Sequence, residues 1–205
     1  MTEGSPRIGV LALQGDFAEH AASLEPYGIA ARKVRRAEDL ADLDGLVLPG
    51  GESTTMLKLL DVEGLWEPLA QTLRSGIPVL ATCAGTILLA EHVENPEQRS
   101  FGLLPIRVVR NGYGRQICSG TVPLRGDGVP EGTTGTFIRA PRITAVGPGC
   151  EVLAWRDTAT GSDPVLVRKG PLLASCFHPE LQAGHPVTAA FASTVRAAHN
   201  PSATC

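Results

Sequence analysis

The chain has 205 residues, of which 43% are hydrophobic and 19% are charged, and its formal net charge is −3. This composition predicts a single soluble globular domain, and the slight acidity and 4% aromatic content argue against nucleic-acid binding. The longest uncharged stretch, residues 75–90, is shorter than the roughly 20 residues that span a bilayer. Five cysteines without a CxxC pair, and no visible signal peptide, predict a reduced, cytoplasmic protein that does not contact membranes.

The first half of the chain alternates short apolar runs with helical patterns. We predict strands at residues 8–13, 30–34, 46–48 and 78–81. Helices are predicted at 16–25, with Asp16 as its cap and Gly28 after its end, at 37–43, at 65–73, after Ser53 or Thr54, and after Cys83. This alternation is typical of a parallel, doubly wound α/β sheet flanked by helices.

Beyond residue 105 the pattern changes to short β-prone segments separated by glycine and proline, at 107–110, 120–123, 136–138, 152–155, 165–167 and 172–175. We interpret them as a mixed or antiparallel extension of the same sheet. A last helix is predicted at 187–198. The resulting prediction is one domain over residues 7–199, preceded by an extension at 1–6 and followed by a tail at 200–205.

Cys83 lies where a predicted strand meets a predicted helix, at the edge where open α/β sheets gather their functional groups. A tight turn there lifts the thiol above the sheet, and the helix N-terminus favours the nucleophilic thiolate. The alternative is a buried structural thiol, and this is the interpretation that we give to Cys118, Cys150 and Cys176.

His178 and Glu180 are two residues apart with Pro179 between them. In an extended segment both side chains point the same way, so Glu180 can orient the imidazole and His178 can take the thiol proton. The alternative is a histidine that makes a local structural bond at a strand end. The remaining histidines show no metal-ligand spacing, so we predict no metal site and expect them on surfaces or helix faces: His20, His92, His185 and His199.

Gly50 and Gly51 follow the third predicted strand at the same edge as Cys83. The loop lacks the lysine and the spacing of a phosphate-binding loop, so nucleotide binding is not predicted. Its exposed N–H groups, together with the N–H of Ala84, can stabilise the oxyanion that forms when a thiolate attacks an amide. The alternative is a strand-to-helix turn without a chemical role.

Together these features resemble the class I (triad) glutamine amidotransferases. More narrowly, seven blocks resemble the family of glutaminase subunits of pyridoxal 5'-phosphate synthase: residues 9–15, 48–56, 82–85, 110–111, 114–116, 137–141 and 175–181. The blocks run in order over nearly the whole chain. The family usually has glycine where this chain has Ala81, and we expect a strand-like backbone to accommodate the extra methyl group.

The resemblance implies hydrolysis of L-glutamine by a triad of Cys83, His178 and Glu180, without a metal or organic cofactor. It also implies a glutamine site formed by Gly51, Glu52, Ser53, Arg110, Ile138 and Arg139. The ammonia would pass to a separate synthase subunit, a (β/α)8 barrel that forms a dodecameric core. We expect low activity without that partner, with the Gln14-Gly15 turn and the Gly50-Gly51 loop as the segments that respond to it.

Three other interpretations stay open at this point. The chain can supply ammonia to another synthase, such as the imidazole glycerol phosphate enzyme. It can be a non-catalytic binding protein on the same fold, for which Ala81 is the one local indication. Cysteine peptidases of similar fold are a more distant possibility, which the blocks of the glutamine site disfavour.

Overall fold

The structure, a computed structural model, describes residues 5–113 and 120–200 of the chain. Its strands are β1 (Ile8–Leu11), β2 (Ala31–Val34), β3 (Gly45–Leu48), β4 (Val79–Thr82), β5 (Ala90–Glu94), β6 (Leu104–Val109), β7 (Gly120–Pro123), β8 (Thr134–Phe137), β9 (Arg142–Val146), β10 (Glu151–Thr158), β11 (Gly161–Lys169) and β12 (Leu172–Ser175). Its helices are α1 (Phe17–Leu24), α2 (Ser53–Val62), α3 (Trp66–Arg74), α4 (Ala84–Leu89) and α5 (Pro186–His199). Three 3-10 turns occupy Glu25–Tyr27, Ala37–Leu40 and Pro179–Leu181. In the described ranges no helix has the length and apolar character required to cross a membrane.

Seven strands form the main sheet, in the order β10-β11-β12-β4-β3-β1-β2. The five strands from β12 to β2 are mutually parallel, whereas β11 and β10 pair antiparallel at one edge. Strands β1, β3 and β4 are buried along their whole length, as continuous apolar runs in a parallel sheet should be. The predicted α/β fold with a mostly parallel sheet is confirmed.

The strand order also explains why helices cover both faces. The connection from β1 to β2 moves towards one edge of the sheet, and the connection from β3 to β4 moves towards the other. Because such crossovers are right-handed, α1 lies on one face and α2 with α3 on the opposite face. In agreement, α1 contacts α5 and α2 contacts α4.

The predicted extension of the sheet is only partly right. Strands β10, β11 and β12 join the main sheet, but β5, β6 and β9 form a separate three-stranded sheet and β7 and β8 a two-stranded one. Strands β5 and β9 were not predicted. Both are short and half polar, with exposed Glu91 and His92 in β5, so neither presents a clear apolar alternation.

Several boundaries also differ from the sequence prediction. The first strand ends at Leu11 and not at residue 13, and the predicted helix at 37–43 is the short 3-10 turn Ala37–Leu40. The first helix does end as predicted, because Gly28 adopts the left-handed conformation after the turn Glu25–Tyr27. Outside the described residues lie the block at 114–116, Cys118, Cys205 and most of the extension and tail.

Candidate active site

Three strands of the main sheet carry the predicted catalytic segments to one edge. Strand β12 is parallel to β4, with Ser175 beside Thr82. Cys83 is the next residue after β4, and His178 follows three residues after Ser175. Gly50 follows β3, the other parallel neighbour of β4. Residues that are distant along the chain therefore leave the sheet at the same carboxyl edge, where ligand sites of open α/β sheets form.

Cys83 occupies a strained elbow between β4 and α4. Its backbone angles are φ 48° and ψ −103°, a region that costs a residue other than glycine about 1–3 kcal/mol. The Cys83 N–H donates to the Ser175 carbonyl at 2.9 Å, and the Thr86 hydroxyl donates to the same oxygen at 2.7 Å. A Cβ on Gly85 would lie 2.2 Å from the Leu48 carbonyl oxygen, so glycine lets α4 begin against β3. These contacts hold the elbow in place.

Ala81, the departure from the family pattern, lies inside β4. It is in register with Leu48 on one side and with Ala174 on the other, and it is fully buried. The backbone there is a sheet strand, so the additional methyl group meets no conformational barrier. The expectation that a strand-like backbone accommodates alanine is confirmed.

His178 and Glu180 form a short hydrogen bond, with 2.7 Å between the imidazole Nδ1 and the carboxylate Oε1. The prediction of an extended segment is wrong, because Pro179–Leu181 is a 3-10 turn whose first position suits the fixed φ of proline. Burial opposes the charged imidazolium, but the interactions of the ring with Cys83 and with Glu180 outweigh it and raise the pKa of His178 to about 10. The thiol and the imidazole line the same cavity, and the imidazole is bonded to the carboxylate, so the three groups lie in one cluster.

The carboxylate of Glu180 is shielded from solvent and has a second histidine beside it. Its Oε1 atom is 3.5 Å from Nε2 of His20, and the same nitrogen is 3.2 Å from the Thr82 hydroxyl. Burial opposes ionisation of Glu180, yet the hydrogen bond from His178 and the proximity of His20 hold its pKa below the ordinary value. Burial lowers the pKa of His20.

Asp16 approaches the same imidazole from the start of α1. It stands at the N-cap position, as predicted, but its side chain makes no capping hydrogen bond and lies 3.8 Å from Nδ1 of His178. The ligand atoms of Asp16, His178 and Glu180 all lie within 4.8 Å of one another, so these side chains are where a cation could be held. Nδ1 of His178 is already engaged with Glu180 at 2.7 Å, which a metal would have to displace.

The two glycine turns above the sheet pack closely on the site and on each other. A Cβ on Gly50 would lie 2.4 Å from Cε1 of His178, so the backbone of the loop touches the imidazole. Gly51 has φ 138° and leaves room for the side chain of Gln14, which a Cβ would approach to 2.6 Å. The N–H of Glu52 donates to Oε1 of Gln14 at 2.9 Å. The Gln14-Gly15 turn and the Gly50-Gly51 loop are therefore one connected unit.

Glu52 is the N-cap of α2, in place of the predicted Ser53 or Thr54. One carboxylate oxygen accepts from the Thr54 N–H, and the other accepts from the N–H and hydroxyl of Thr55. Burial raises its pKa, but these hydrogen bonds prevail and lower it to about 2. The guanidinium of Arg110 donates to Glu52 at 3.0 Å and to the Thr54 hydroxyl at 2.9 Å. Glu52 thus orders both the loop and Arg110.

A cavity of about 380 Å³ opens above Cys83. The Ser53 hydroxyl, at its wall, donates to Gln98, and the Cys83 sulfur lies 4.0 Å from the Ile138 carbonyl oxygen. Arg139 has a positive φ of 43°, and the side chain of Ile138 is 40% exposed. The wall consists of Gln14, Asp16, Gly51, Glu52, Ser53, Cys83, Ile87, Arg110, Asn111, Ile138, Arg139 and His178.

Every residue predicted for the triad and for the glutamine site lies at this cavity, except Glu180, which is buried behind His178. Gly50 and Ala84, the predicted sources of oxyanion donors, are adjacent in sequence to wall residues but are not part of the wall. The sequence-based site residues did not include Gln14, Asp16, Ile87 and Asn111 of the wall, although Gln14 was expected in a turn that responds to the partner. His20 was expected on a surface or helix face, and it does lie in α1, but it is 1% exposed. Asn111 belongs to one of the seven blocks that resemble the family, so the resemblance could have identified it as a site residue.

The comparisons with known proteins agree with this geometry. The model of the SNO glutamine amidotransferase family matches residues 10–197. The chain belongs to this family. The pyridoxal 5'-phosphate synthase subunit PdxT of Parafrankia sp. (strain EAN1pec) is 50% identical over 195 residues, which cover 94% of this chain and 94% of that protein. The protein of the same name from Acidothermus cellulolyticus (strain ATCC 43068 / DSM 8971 / 11B) is 48% identical over 198 residues, which cover 94% and 95%.

Membership in the SNO family is supported by a solved structure as well. A protein described as a glutamine amidotransferase has 42% sequence identity and a TM-score of 0.82, over 92% of this chain and 98% of the other. The prediction of a class I glutamine amidotransferase, made from the seven blocks, is confirmed. The roles of single residues within the family site stay predictions for this chain.

Proposed function

We propose that the chain hydrolyses L-glutamine to L-glutamate and ammonia and delivers the ammonia to a separate synthase subunit. Membership in the glutamine amidotransferase family supports the reaction class. The observation that carries the proposal is the cluster of Cys83, His178 and Glu180, in which Cys83 and His178 line a cavity large enough for a small amino acid and Glu180 is bonded to the imidazole. The domain is proposed to extend over residues 7–199.

In the proposed reaction, His178 holds the proton taken from the Cys83 thiol, as its raised pKa favours, and the thiolate attacks the carboxamide carbon of glutamine. The imidazolium then gives that proton to the leaving nitrogen, which departs as ammonia and leaves a glutamyl thioester on Cys83. Water attacks the thioester with His178 as the base, and glutamate is released with the thiol restored. Glu180 orients the imidazole in both steps through its hydrogen bond to Nδ1.

The oxyanion is proposed to be stabilised by backbone N–H groups. Ala84 is the first residue of α4, so its N–H has no intrahelical acceptor and is available to a ligand. The Gly50-Gly51 loop would supply the second donor. The adjacent N–H of Glu52 is bonded to Gln14, which links this part of the site to the neighbouring turn. A rearrangement of these two segments on docking is our explanation for the low activity expected of the free chain.

Glutamine is proposed to bind through Gly51, Glu52, Ser53, Arg110, Ile138 and Arg139. The guanidinium groups of Arg110 and Arg139 offer charge-assisted donors for its α-carboxylate. Glu52, the acidic residue of this set, would be the natural partner of the ammonium group, but both of its oxygens already accept hydrogen bonds. We therefore propose that Glu52 acts mainly by holding Arg110 and the loop, and that backbone carbonyls such as that of Ile138 meet the ammonium.

The proposed partner is the synthase subunit of pyridoxal 5'-phosphate synthase, a (β/α)8 barrel that assembles into a dodecameric core in the cytoplasm. The relatives at 50% and 48% identity are named as subunits of that synthase, which favours it over another ammonia-using enzyme. Co-purification with a different synthase, such as the imidazole glycerol phosphate enzyme, would instead support the second candidate.

The decisive experiment measures glutamate release with and without the synthase subunit, for the parent chain and for Cys83→Ala. We expect slow hydrolysis by the free parent chain, a rise when the synthase is added, and background rates for Cys83→Ala. Cys150→Ala is the matched control, because this cysteine is half-buried and lies outside the cavity wall in the described residues. Undiminished hydrolysis by Cys83→Ala would refute Cys83 as the nucleophile and with it the proposed reaction, and rapid hydrolysis by the free chain would contradict the coupling to a partner.

A further inference from the structure

A buried histidine, His20, contacts Glu180 of the proposed triad and also Thr82, the residue that precedes Cys83. His20 projects from α1, and 1% of its side chain is exposed. Its Nε2 atom lies 3.2 Å from the hydroxyl of Thr82, the residue before Cys83, and 3.5 Å from Oε1 of Glu180. Nε2 of His20 therefore faces both strand β4, which ends next to Cys83, and the carboxylate that is hydrogen-bonded to His178.

The surroundings of His20 determine which nitrogen holds the proton. Burial lowers the pKa of His20 more than the charges of Glu180, Asp16 and Glu19 raise it, and the nearby His178 lowers it further. The ring is therefore neutral at pH 7 and carries one proton. A lone pair on Nε2 would face the anionic oxygen of Glu180, so the tautomer with the proton on Nε2 is favoured.

The second oxygen of Glu180 makes this contact important. Oε2 is buried and has no hydrogen-bond partner among the described residues. The orientation of the carboxylate therefore depends on what surrounds Oε1, which accepts from His178 at 2.7 Å and faces Nε2 of His20 at 3.5 Å. A carboxylate held by a single hydrogen bond can rotate, whereas a second N–H beside the same oxygen restricts that rotation.

We propose that His20 is a positioning residue, whose Nε2–H fixes the Glu180 carboxylate in the orientation that accepts the Nδ1–H of His178. This inference rests on the proposed glutaminase function for its catalytic consequence, but not for the contact itself. The wall of the cavity in the described residues does not include His20, so its loss should change the proton transfer and leave glutamine binding unaltered.

The test compares His20→Gln with His20→Leu. The amide nitrogen of H20Q lies near the position of Nε2 and keeps a donor that cannot ionise, whereas H20L fills a similar volume without a donor. Three quantities are measured for each variant: kcat and KM for glutamine at saturating synthase, and the pKa of His178 by NMR. Unfolding in urea records stability, and His92→Leu, which changes an exposed residue of β5, is the control.

We expect H20L to lower kcat about tenfold, since a shift of the base smaller than 1 Å has an effect of that order, with KM unchanged. The pKa of His178 should fall by about 1 unit as its contact with the carboxylate weakens. H20Q should restore both values to near those of the parent. Equal losses of kcat in H20L and H20Q that follow their losses of stability, with an unchanged His178 pKa, would overturn the proposal.

The pKa measurement separates this inference from the proposed function, because it does not require the complex to hydrolyse glutamine. If the parent complex hydrolyses no glutamine, the function is refuted. A fall of the His178 pKa in H20L with recovery in H20Q would then still uphold the positioning contact. If the complex is active but H20L retains the parent kcat and the parent His178 pKa, the positioning role is refuted and the glutaminase function stands.

Discussion

Gly50→Ala places one methyl group directly against the proposed catalytic base. The added Cβ would lie 2.4 Å from Cε1 and 3.1 Å from Nδ1 of His178. Contacts of that length do not occur in real structures, so either the ring or the loop must move. The loop is itself restrained, because Gly50 packs against Gly15 and the next residues are bonded to Gln14.

The size of the displacement follows from the geometry. Ordinary van der Waals contact begins at 3.4 Å, whereas the added Cβ would lie 2.4 Å from the ring. The imidazole and the loop must therefore move apart by about 1 Å. The hydrogen bond of 2.7 Å between His178 and Glu180 cannot stretch that far and persist. A misplacement of about 1 Å in a reacting group costs on the order of 100-fold in rate, and we expect kcat to fall by that amount.

The assay is glutamate release at increasing synthase concentration, so that weaker docking and slower chemistry are separated. Gly120→Ala is the matched control, since a Cβ there meets nothing within 4 Å and the backbone is an ordinary strand. We expect the control to keep the parent kcat. A Gly50→Ala variant whose kcat at saturating synthase stays within threefold of the parent, on the order of the scatter of such measurements, would refute the contact between the loop and the base.

Two further variants test the electrostatics of the site. Glu52→Ala removes the cap of α2 and the acidic partner of Arg110, so we expect a free energy of unfolding lower by about 1 kcal/mol in urea titrations and a raised KM for glutamine. An unchanged KM would show that glutamine binding does not depend on the contact between Glu52 and Arg110. Glu180→Gln should lower the free energy of unfolding by roughly 2 kcal/mol at pH 7. Because the folded pKa of Glu180 is depressed, this stabilisation is present above the unfolded pKa near 4.5 and is lost as the pH falls through the folded pKa, so the difference between parent and variant should vanish in acid. If the difference in the free energy of unfolding persists at low pH, it arises from packing and not from the charge of Glu180.

The position of the predicted catalytic residues was accessible from the sequence because the strands are simple. Buried parallel strands read as continuous apolar runs, and the turn that follows such a run must lie at the carboxyl edge of the sheet. Cys83 and Gly50 were located on that basis. His178 was assigned from its spacing to Glu180 and from the resemblance to the family, although the local conformation after Pro179 was predicted as extended and is a 3-10 turn.

The polar supports of the site were harder to predict. A sequence pattern assigns a residue to a helix, but it does not show that a polar side chain such as His20 is buried against residues far along the chain. Ser53 and Thr54 are both able to cap a helix, but the observed cap is Glu52, which is also bonded to Arg110 far along the chain. Asp16 likewise stands at a cap position, yet its carboxylate lies near His178.

The positive φ of Cys83 limits which amino acids can ever serve at this position. A side chain branched at Cβ is a severe outlier at such angles, whereas an unbranched one is tolerated when its neighbours hold the backbone. Serine could therefore replace Cys83 without a change in the backbone conformation of the elbow, but threonine could not. If evolution or engineering exchanges the sulfur nucleophile for a hydroxyl on this scaffold, the new residue must therefore be serine.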